Sequence, residues 1–294
     1  MSKISIMASR HSPFYSPLLA CIDGGFLGDE GLESGYSVAT PGASVPDGLR
    51  DGSVQLGQLA VSASWGLLEN GVQPHFMHFA QINERDGFFL AARNAVENFD
   101  WHHLAGREVL VDHLGQPMAL FKFAAELAGL DLSDVEILDC GEPDEMDAVF
   151  RGGVGDFIHL QGGAPQQLEK EGLATVVCAL GDVSGPLAFS SLAATPEWIE
   201  GDEARAFMRA YRTARQYVIE APVEDTAEMV RGNFPDLDAD VLAATIDRYK
   251  RLGCWTTNVD ISRESYAAAL SAFQATGGVR QNHPYEQVVV SPPG

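Results

Sequence analysis

The chain has 294 residues, 46% of them hydrophobic, which is long and apolar enough to bury two cores. Its formal net charge of −22 comes from 41 acidic residues against 19 basic ones, and no Lys- or Arg-rich run occurs. This charge makes nucleic acid and anionic membranes poor partners, and the lack of about 18 consecutive apolar residues excludes a membrane-inserted helix.

The first part of the chain alternates strand and helix patterns. A strand is predicted at 3–8, and Ser12 followed by Pro13 predicts the start of a helix that reaches about Asp23. The pattern then continues with strands at 35–39, 54–60 and 74–82 and helices at 45–50 and 62–69. This order is typical of βαβ units.

A second strand-and-helix series follows, and a helical tail follows that. The predicted strands are 87–92, 108–111, 135–138, 156–160 and 175–180, with a further extended run at 186–192. The helices between them are 116–127, 142–151 and 166–171. After Thr195 no strand pattern recurs, and four helices are predicted at 196–220, 222–233, 238–252 and 262–276.

The cysteines and histidines do not form metal-binding patterns. The four cysteines are far apart and include no CxxC pair, so we interpret them as small buried residues. His75 and His78 would face opposite sides of a strand. We therefore predict no metal and no cofactor.

Two extended runs, Gly87 to Leu90 and Pro186 to Ser190, stand between the strand-and-helix series in the positions of crossover strands. This order of elements resembles the class II periplasmic-binding-protein fold, and local stretches resemble its sulfonate/taurine/nitrate and thiamine-pyrimidine-precursor branch. The stretches that carry the resemblance are Pro17 to Ala20, Gly25 to Leu27, Gly52 to Gly57, Leu104 to Val109, Leu187 to Thr195, Ala206-Phe207 with Tyr211, and Asp247 to Trp255.

The resemblance implies an α/β protein of two lobes with two crossover hinge strands and a helical C-terminal tail. Residues 1–86 and 187–294 would form lobe 1, and residues 87–186 would form lobe 2. The expected function is that of an ABC-transporter substrate-binding protein that closes its lobes on a small polar metabolite. Heteroaromatic metabolites belong to this expected class. An ABC permease is the implied partner, and we expect a monomer.

The sequence departs from enzymes that share this fold. The fungal thiamine-pyrimidine synthases carry a cysteine-rich CCCFC motif and a lysine for pyridoxal phosphate. This chain has no such motif and no lysine between Lys3 and Lys122. The sulfinate-releasing desulfinase has a nucleophilic cysteine that Cys21, with Arg10 and His11, loosely resembles. The alternative function is therefore a cytoplasmic enzyme that uses Cys21 or His11.

Candidate ligand-binding residues follow the strands, because open α/β sheets bind ligands at the carboxyl ends of their strands. The predicted set is Arg10, His11, Phe14, Tyr15, Gln58, Ser62, Gln81, His113, Gly115, Gln116, Gln161 and Gly162. Loops at 139–141 and 182–184 complete the predicted ring. Glutamine and aromatic residues outnumber arginine in this set, which argues against a strongly anionic ligand.

Asp112 follows the strand at 108–111 and bears on the charge of the ligand. If its carboxylate points into the cleft, it opposes an anion and favours a cationic or hydrogen-bonding ligand.

The location of the protein is predicted from its first residues. The segment MSKISIMASR lacks the apolar stretch and cleavage site of a secretory signal, so we expect a cytoplasmic protein. The alternative is a periplasmic protein whose signal peptide has been removed.

Overall fold

The computed structural model describes all 294 residues and contains two five-stranded sheets. The strands are β1 (Ser2–Ala8), β2 (Leu32–Val38), β3 (Leu56–Leu59), β4 (Met77–Asn83), β5 (Phe88–Ala92), β6 (Glu108–Val111), β7 (Glu136–Leu138), β8 (Phe157–Gln161), β9 (Thr175–Ala179) and β10 (Ser190–Ala194). The helices are α1 (Ser16–Asp23), α2 (Phe26–Asp29), α3 (Val45–Asp51), α4 (Ser62–Glu69), α5 (Gly115–Leu127), α6 (Pro143–Arg151), α7 (Ala164–Lys170), α8 (Leu180–Ser184), α9 (Pro196–Ile199), α10 (Asp202–Glu220), α11 (Val223–Val230), α12 (Ala239–Leu252) and α13 (Arg263–Ala275).

Each sheet mixes parallel strands with one strand of opposite direction. The first sheet has the order β2-β1-β3-β10-β4, and β10 is antiparallel to β3 and β4. The second has the order β7-β6-β8-β5-β9, and β5 is antiparallel to β8 and β9. Both antiparallel strands come directly after the chain passes from one sheet to the other. The predicted two-sheet α/β fold with crossover strands and a helical tail is confirmed.

The second crossing segment, 185–189, is hydrogen-bonded to the last residue of β4 and to the first residue of the other crossing segment, 84–87. Leu187 N–H donates to Glu84 O (2.8 Å), and Phe189 N–H donates to Asn83 O (3.2 Å). Gly87 is required here, since a Cβ at this position would lie 2.5 Å from the ring of Phe14. The crossings therefore form one two-stranded connection.

The helical tail is anchored to the end of β4. On α10, the hydroxyl of Tyr211 donates to Gln81 O (3.0 Å), and the guanidinium of Arg215 donates to Ile82 O (2.7 Å). Arg215 is 1% exposed, so its charge is satisfied mainly by backbone carbonyls. The tail thus fixes the point where the chain leaves the first sheet.

Two local predictions are wrong. The helix predicted at 196–220 is divided into α9 and α10, because Gly201 adopts an extended backbone between them. The segment 182–184, predicted as a loop, belongs to α8, where Asp182 pairs with Arg248 on α12. No helix combines the length and the apolar character that crossing a membrane requires.

Candidate ligand-binding cleft

The loop after β1 is held in place by one buried glutamine. The side-chain oxygen of Gln58, at the end of β3, accepts hydrogen bonds from the Ser9 amide and the Ser9 hydroxyl, both at 3.0 Å. Its amide nitrogen donates to the Ser190 hydroxyl (3.2 Å) at the start of β10. Gln58 is 1% exposed. Its hydrogen bonds connect the ends of β1 and β3 to the start of β10.

A cavity of about 470 Å³ lies beside this loop, between the two sheets. Its walls come from the carboxyl ends of β1, β3, β6 and β8 and from the beginnings of the antiparallel strands β5 and β10. The side chains that can form hydrogen bonds are Ser9, Arg10, Tyr15, Gln58, Ser62, Gln116, Gln161 and Ser190. The main apolar walls are Leu59, Phe88, Leu114, Pro117, Phe189, Phe273 and Val279. The volume and the mixed lining are typical of small-molecule sites.

Three side-chain pairs join the two sides of the cavity. Arg10 pairs with Asp112, Tyr15 accepts a hydrogen bond from the Gln161 amide (3.1 Å), and the Ser62 hydroxyl donates to the Gln116 side-chain oxygen (3.0 Å). In each pair one residue belongs to the β1–β4 region and the other to the β5–β9 region. The structure is therefore a closed arrangement of the two sheets.

The Arg10–Asp112 pair combines one hydrogen bond, from Arg10 Nη2 to Asp112 Oδ1, with a second close contact between the charged groups. Arg10 Nη2 lies 2.9 Å from Asp112 Oδ1, and Arg10 Nη1 lies 2.7 Å from Asp112 Oδ2. The side chain of Asp112 is 3% exposed and that of Arg10 is 17% exposed. The hydrogen bond fixes the orientation of the two groups, and the second contact adds electrostatic attraction.

Tyr15 adds a neutral polar group to the cavity. Burial raises the pKa of its phenol above the ordinary value, although hydrogen bonds with Gln161 and Ser190 lower it. The hydroxyl is therefore protonated at neutral pH and serves as a hydrogen-bonding group.

Seven of the twelve predicted ligand-binding residues line the cavity. They are Arg10, Tyr15, Gln58, Ser62, Gly115, Gln116 and Gln161. Their contact with a ligand stays a prediction.

His11, Phe14 and Gly162 lie outside the cavity lining. His11 is exposed, stacks on Phe234 and contacts Tyr36, because the loop turns its ring away from the cleft. Phe14 is fully buried and packs edge-on against Phe189, behind the wall. Gly162 allows a close approach as predicted, but the approaching group is Tyr249: an added Cβ would lie 2.3 Å from its hydroxyl.

Gln81 and His113 also point elsewhere. The side chain of Gln81 contacts Glu84 and Asn258, since this part of β4 faces the helical tail. His113 Nδ1 lies 2.6 Å from Val111 O and 3.8 Å from the Asp139 carboxylate, in a separate groove at the edge of β6 and β7. The 139–141 loop lies in that groove as well.

The two residues of the enzyme alternative are not brought together at the cavity. Cys21 is fully buried within α1, and burial raises the pKa of its thiol far above the ordinary value. A buried, protonated thiol is a poor nucleophile. The exposed ring of His11 faces Tyr36 and Asn233 instead of Cys21.

The sequence reasoning missed the aromatic walls and the tail contribution. Phe88 and Phe189 occupy matching places in the two crossover runs, so their positions were a usable signal. Phe273 and Val279 reach the cavity only through tertiary packing of the segment around α13.

A larger groove of about 560 Å³ lies between α11 and α12. It is lined by four carboxylates and one arginine over a small apolar base: Glu224, Glu228, Asp240, Asp247 and Arg231. No strand end reaches it, so the cavity between the sheets is the stronger candidate.

Two mixed sheets, two crossings and a cleft at the strand ends define the two-lobed periplasmic-binding-protein fold. The family model described as NMT1/THI5 like matches residues 12–225, and the chain belongs to this family.

Individual relatives agree with this assignment. YtlA of Bacillus subtilis (strain 168), a candidate binding protein by name, is 24% identical over 293 residues, covering 98% of this chain and 88% of that protein. The alkanesulfonate-binding protein SsuA from Xanthomonas axonopodis pv. citri, bound to MOPS, is 13% identical with a TM-score of 0.76 over 99% of each chain. The desulfurization enzyme DSZB is 14% identical with a TM-score of 0.69, covering 99% of this chain and 97% of that chain. The two solved structures show the fold.

Proposed function

We propose that this protein is a solute-binding protein that closes two lobes on a small polar metabolite, heteroaromatic ones included. The lobes are residues 1–86 with 187–294, and residues 87–186. The observation that carries this proposal is the cavity of about 470 Å³ at the strand ends of both sheets, bridged by three side-chain pairs. An ABC permease is the proposed partner.

The lining suits a flat, polar solute. Phe88 and Phe189 stand at the two crossings and provide aromatic surface, while Tyr15 and Gln161 provide hydrogen-bonding atoms. Opening at the crossings would admit the solute, and closure would exclude water from it. The burial of Cys21 away from the cavity favours binding over the enzyme alternative.

A thermal-shift screen with pyrimidines, amino acids and other small polar metabolites tests the proposal, followed by calorimetric titration of any hit. We expect a hit whose affinity falls about tenfold in Gln161→Ala, since a buried hydrogen bond is lost. Gln216→Ala removes the same side chain from an exposed position on α10 and serves as the matched control. No stabilisation by any solute, or equal losses in both variants, would contradict the proposal.

The cytoplasmic location stays a prediction, and it excludes the permease partner, because transport receptors act outside the membrane. Fractionation of cells that express the tagged chain tests it, and recovery in the periplasmic fraction would overturn it.

A further inference from the structure

We infer that Asp112 determines the charge of the ligand by occupying Arg10, so that the cleft takes solutes without net negative charge and excludes anions such as sulfonates and carboxylates. The inference rests on the proposed function, and it assigns a specificity role to a residue that is not itself needed to hold a neutral solute.

The first step is the charge of the cavity wall. Arg10 is the only ionised side chain among the residues that line the cavity, and Asp112 lies directly against it. The pair has no net charge. An anion that enters the cleft therefore loses its hydration and gains no free cation in exchange, which is costly in a buried site.

The second step is that Asp112 is held in place. In addition to its contact with Arg10, Asp112 Oδ1 accepts a hydrogen bond from the Leu114 amide (3.0 Å), so the carboxylate is fixed on its own loop. Its side chain is 3% exposed. An anion that displaced it would leave a buried carboxylate without its charged partner, next to the incoming negative charge.

The third step concerns the two sides of the pair. Arg10 follows β1 in the first sheet, and Asp112 follows β6 in the second. The contact that neutralises the guanidinium is thus also one of the contacts that close the cleft. Closure and loss of the free positive charge occur together, whereas in the open form Arg10 is available to a passing anion but the cleft is wet.

The test is whether removing the negative charge of Asp112 creates an anion site. The probes are ethanesulfonate and propionate, with propionamide as the uncharged match, titrated calorimetrically at about 0.15 M ionic strength. We expect Asp112→Asn to bind ethanesulfonate at least about tenfold more tightly than the original chain, because Arg10 becomes free. Propionamide binding should change little.

Two control variants separate the local effect from general charge. Asp139→Asn removes one negative charge from the neighbouring loop, where the carboxylate is 62% exposed and outside the cavity, and should give no gain. Arg10→Gln combined with Asp112→Asn should lose the gain. Asp112→Ser, which also keeps an acceptor for the Leu114 amide, repeats the test if the asparagine variant does not fold.

Equal ethanesulfonate binding by the original chain and folded Asp112 variants would overturn the inference. An equal gain in Asp139→Asn, or a gain that survives the loss of Arg10, would also overturn it. Failure of the proposed function would appear separately, as the absence of any stabilising solute for the original chain, because the anion comparison is made between variants and needs no native ligand.

Discussion

Among the ion pairs that connect residues 87–186 to the rest of the molecule, the Arg10–Asp112 bridge and the bridge from Lys170 differ in burial. Arg10 and Asp112 meet at the wall of the cleft, with side chains 17% and 3% exposed. Lys170, at the end of α7, meets Asp238 and Asp240 at the start of α12, with side chains 40%, 53% and 71% exposed. Both bridges hold the sheets in the closed arrangement. Only the buried one is shielded from water and salt, so only there does each charge depend strongly on its partner.

The largest expected effect comes from breaking the buried bridge at its basic side. Arg10→Ala leaves the carboxylate of Asp112 buried without its partner, so we expect the free energy of unfolding to fall by roughly 3 kcal/mol. Urea denaturation measures this change.

Asp112→Asn provides the matched comparison. The side chain that loses its partner is then Arg10, which is 17% exposed and keeps some contact with solvent, so the expected loss is smaller, about 1 kcal/mol. A loss in Arg10→Ala no larger than that in Asp112→Asn would contradict the assigned difference in burial.

The next effect concerns Asp86, a buried carboxylate in the first crossing segment. Burial raises its pKa to about 7, although the hydrogen bond from the Phe88 amide lowers it. Between its ordinary value of 3.8 and 7, the folded chain therefore keeps a proton that the unfolded chain has lost. Stability from this group is present below that window and is lost as the pH rises through it, by at most about 1.4 kcal/mol per pH unit.

Asp86→Asn should remove this dependence. From pH 5 to pH 8, we expect the original chain to lose roughly 2 kcal/mol more stability than the variant, as measured by urea denaturation at both pH values. Asp236→Asn changes an exposed carboxylate and should behave like the original chain. Parallel pH profiles for the original chain and Asp86→Asn would show that the crossing does not hold a protonated carboxyl group.

The smallest effect is expected at the exposed bridge. Lys170→Ala should leave the urea midpoint within experimental error, because water and salt already screen its contacts with Asp238 and Asp240. A loss comparable to that of Arg10→Ala, persisting at high salt, would remove the distinction between the two bridges.

The difference between the bridges also explains what could be predicted from the sequence. Strand ends are local features, so the loop after β1 and the positions of Gln58, Gln116 and Gln161 were found from periodicity and turn residues. The partner of Arg10 is 102 residues away. Asp112 was recognised as opposing an anion, but its contact with Arg10 depends on how the two sheets meet, which no local pattern encodes.

The predicted residues that lie outside the cavity lining are explained in the same way. Gln81 lies on a predicted strand at a predicted crossover, yet its side-chain amide donates a hydrogen bond to the backbone carbonyl of Asn258 in the tail. His11 is one residue from Arg10, but its exposed ring stacks on Phe234 of the tail instead of facing the cavity. A strand end predicts which residues are near a cleft, while the packing of later helices decides which of them face it.

The hydrogen bonds that join the second crossing segment to Asn83 and Glu84 have a mechanical consequence. Because Leu187 is bonded to Glu84 and Phe189 to Asn83, the segments resist sliding past each other but can bend and twist as a ribbon. Motion of one sheet relative to the other is then a rotation about an axis near this ribbon. Points far from the axis travel farthest for a given angle, so a small twist at the ribbon is amplified into separation at the mouth of the cleft.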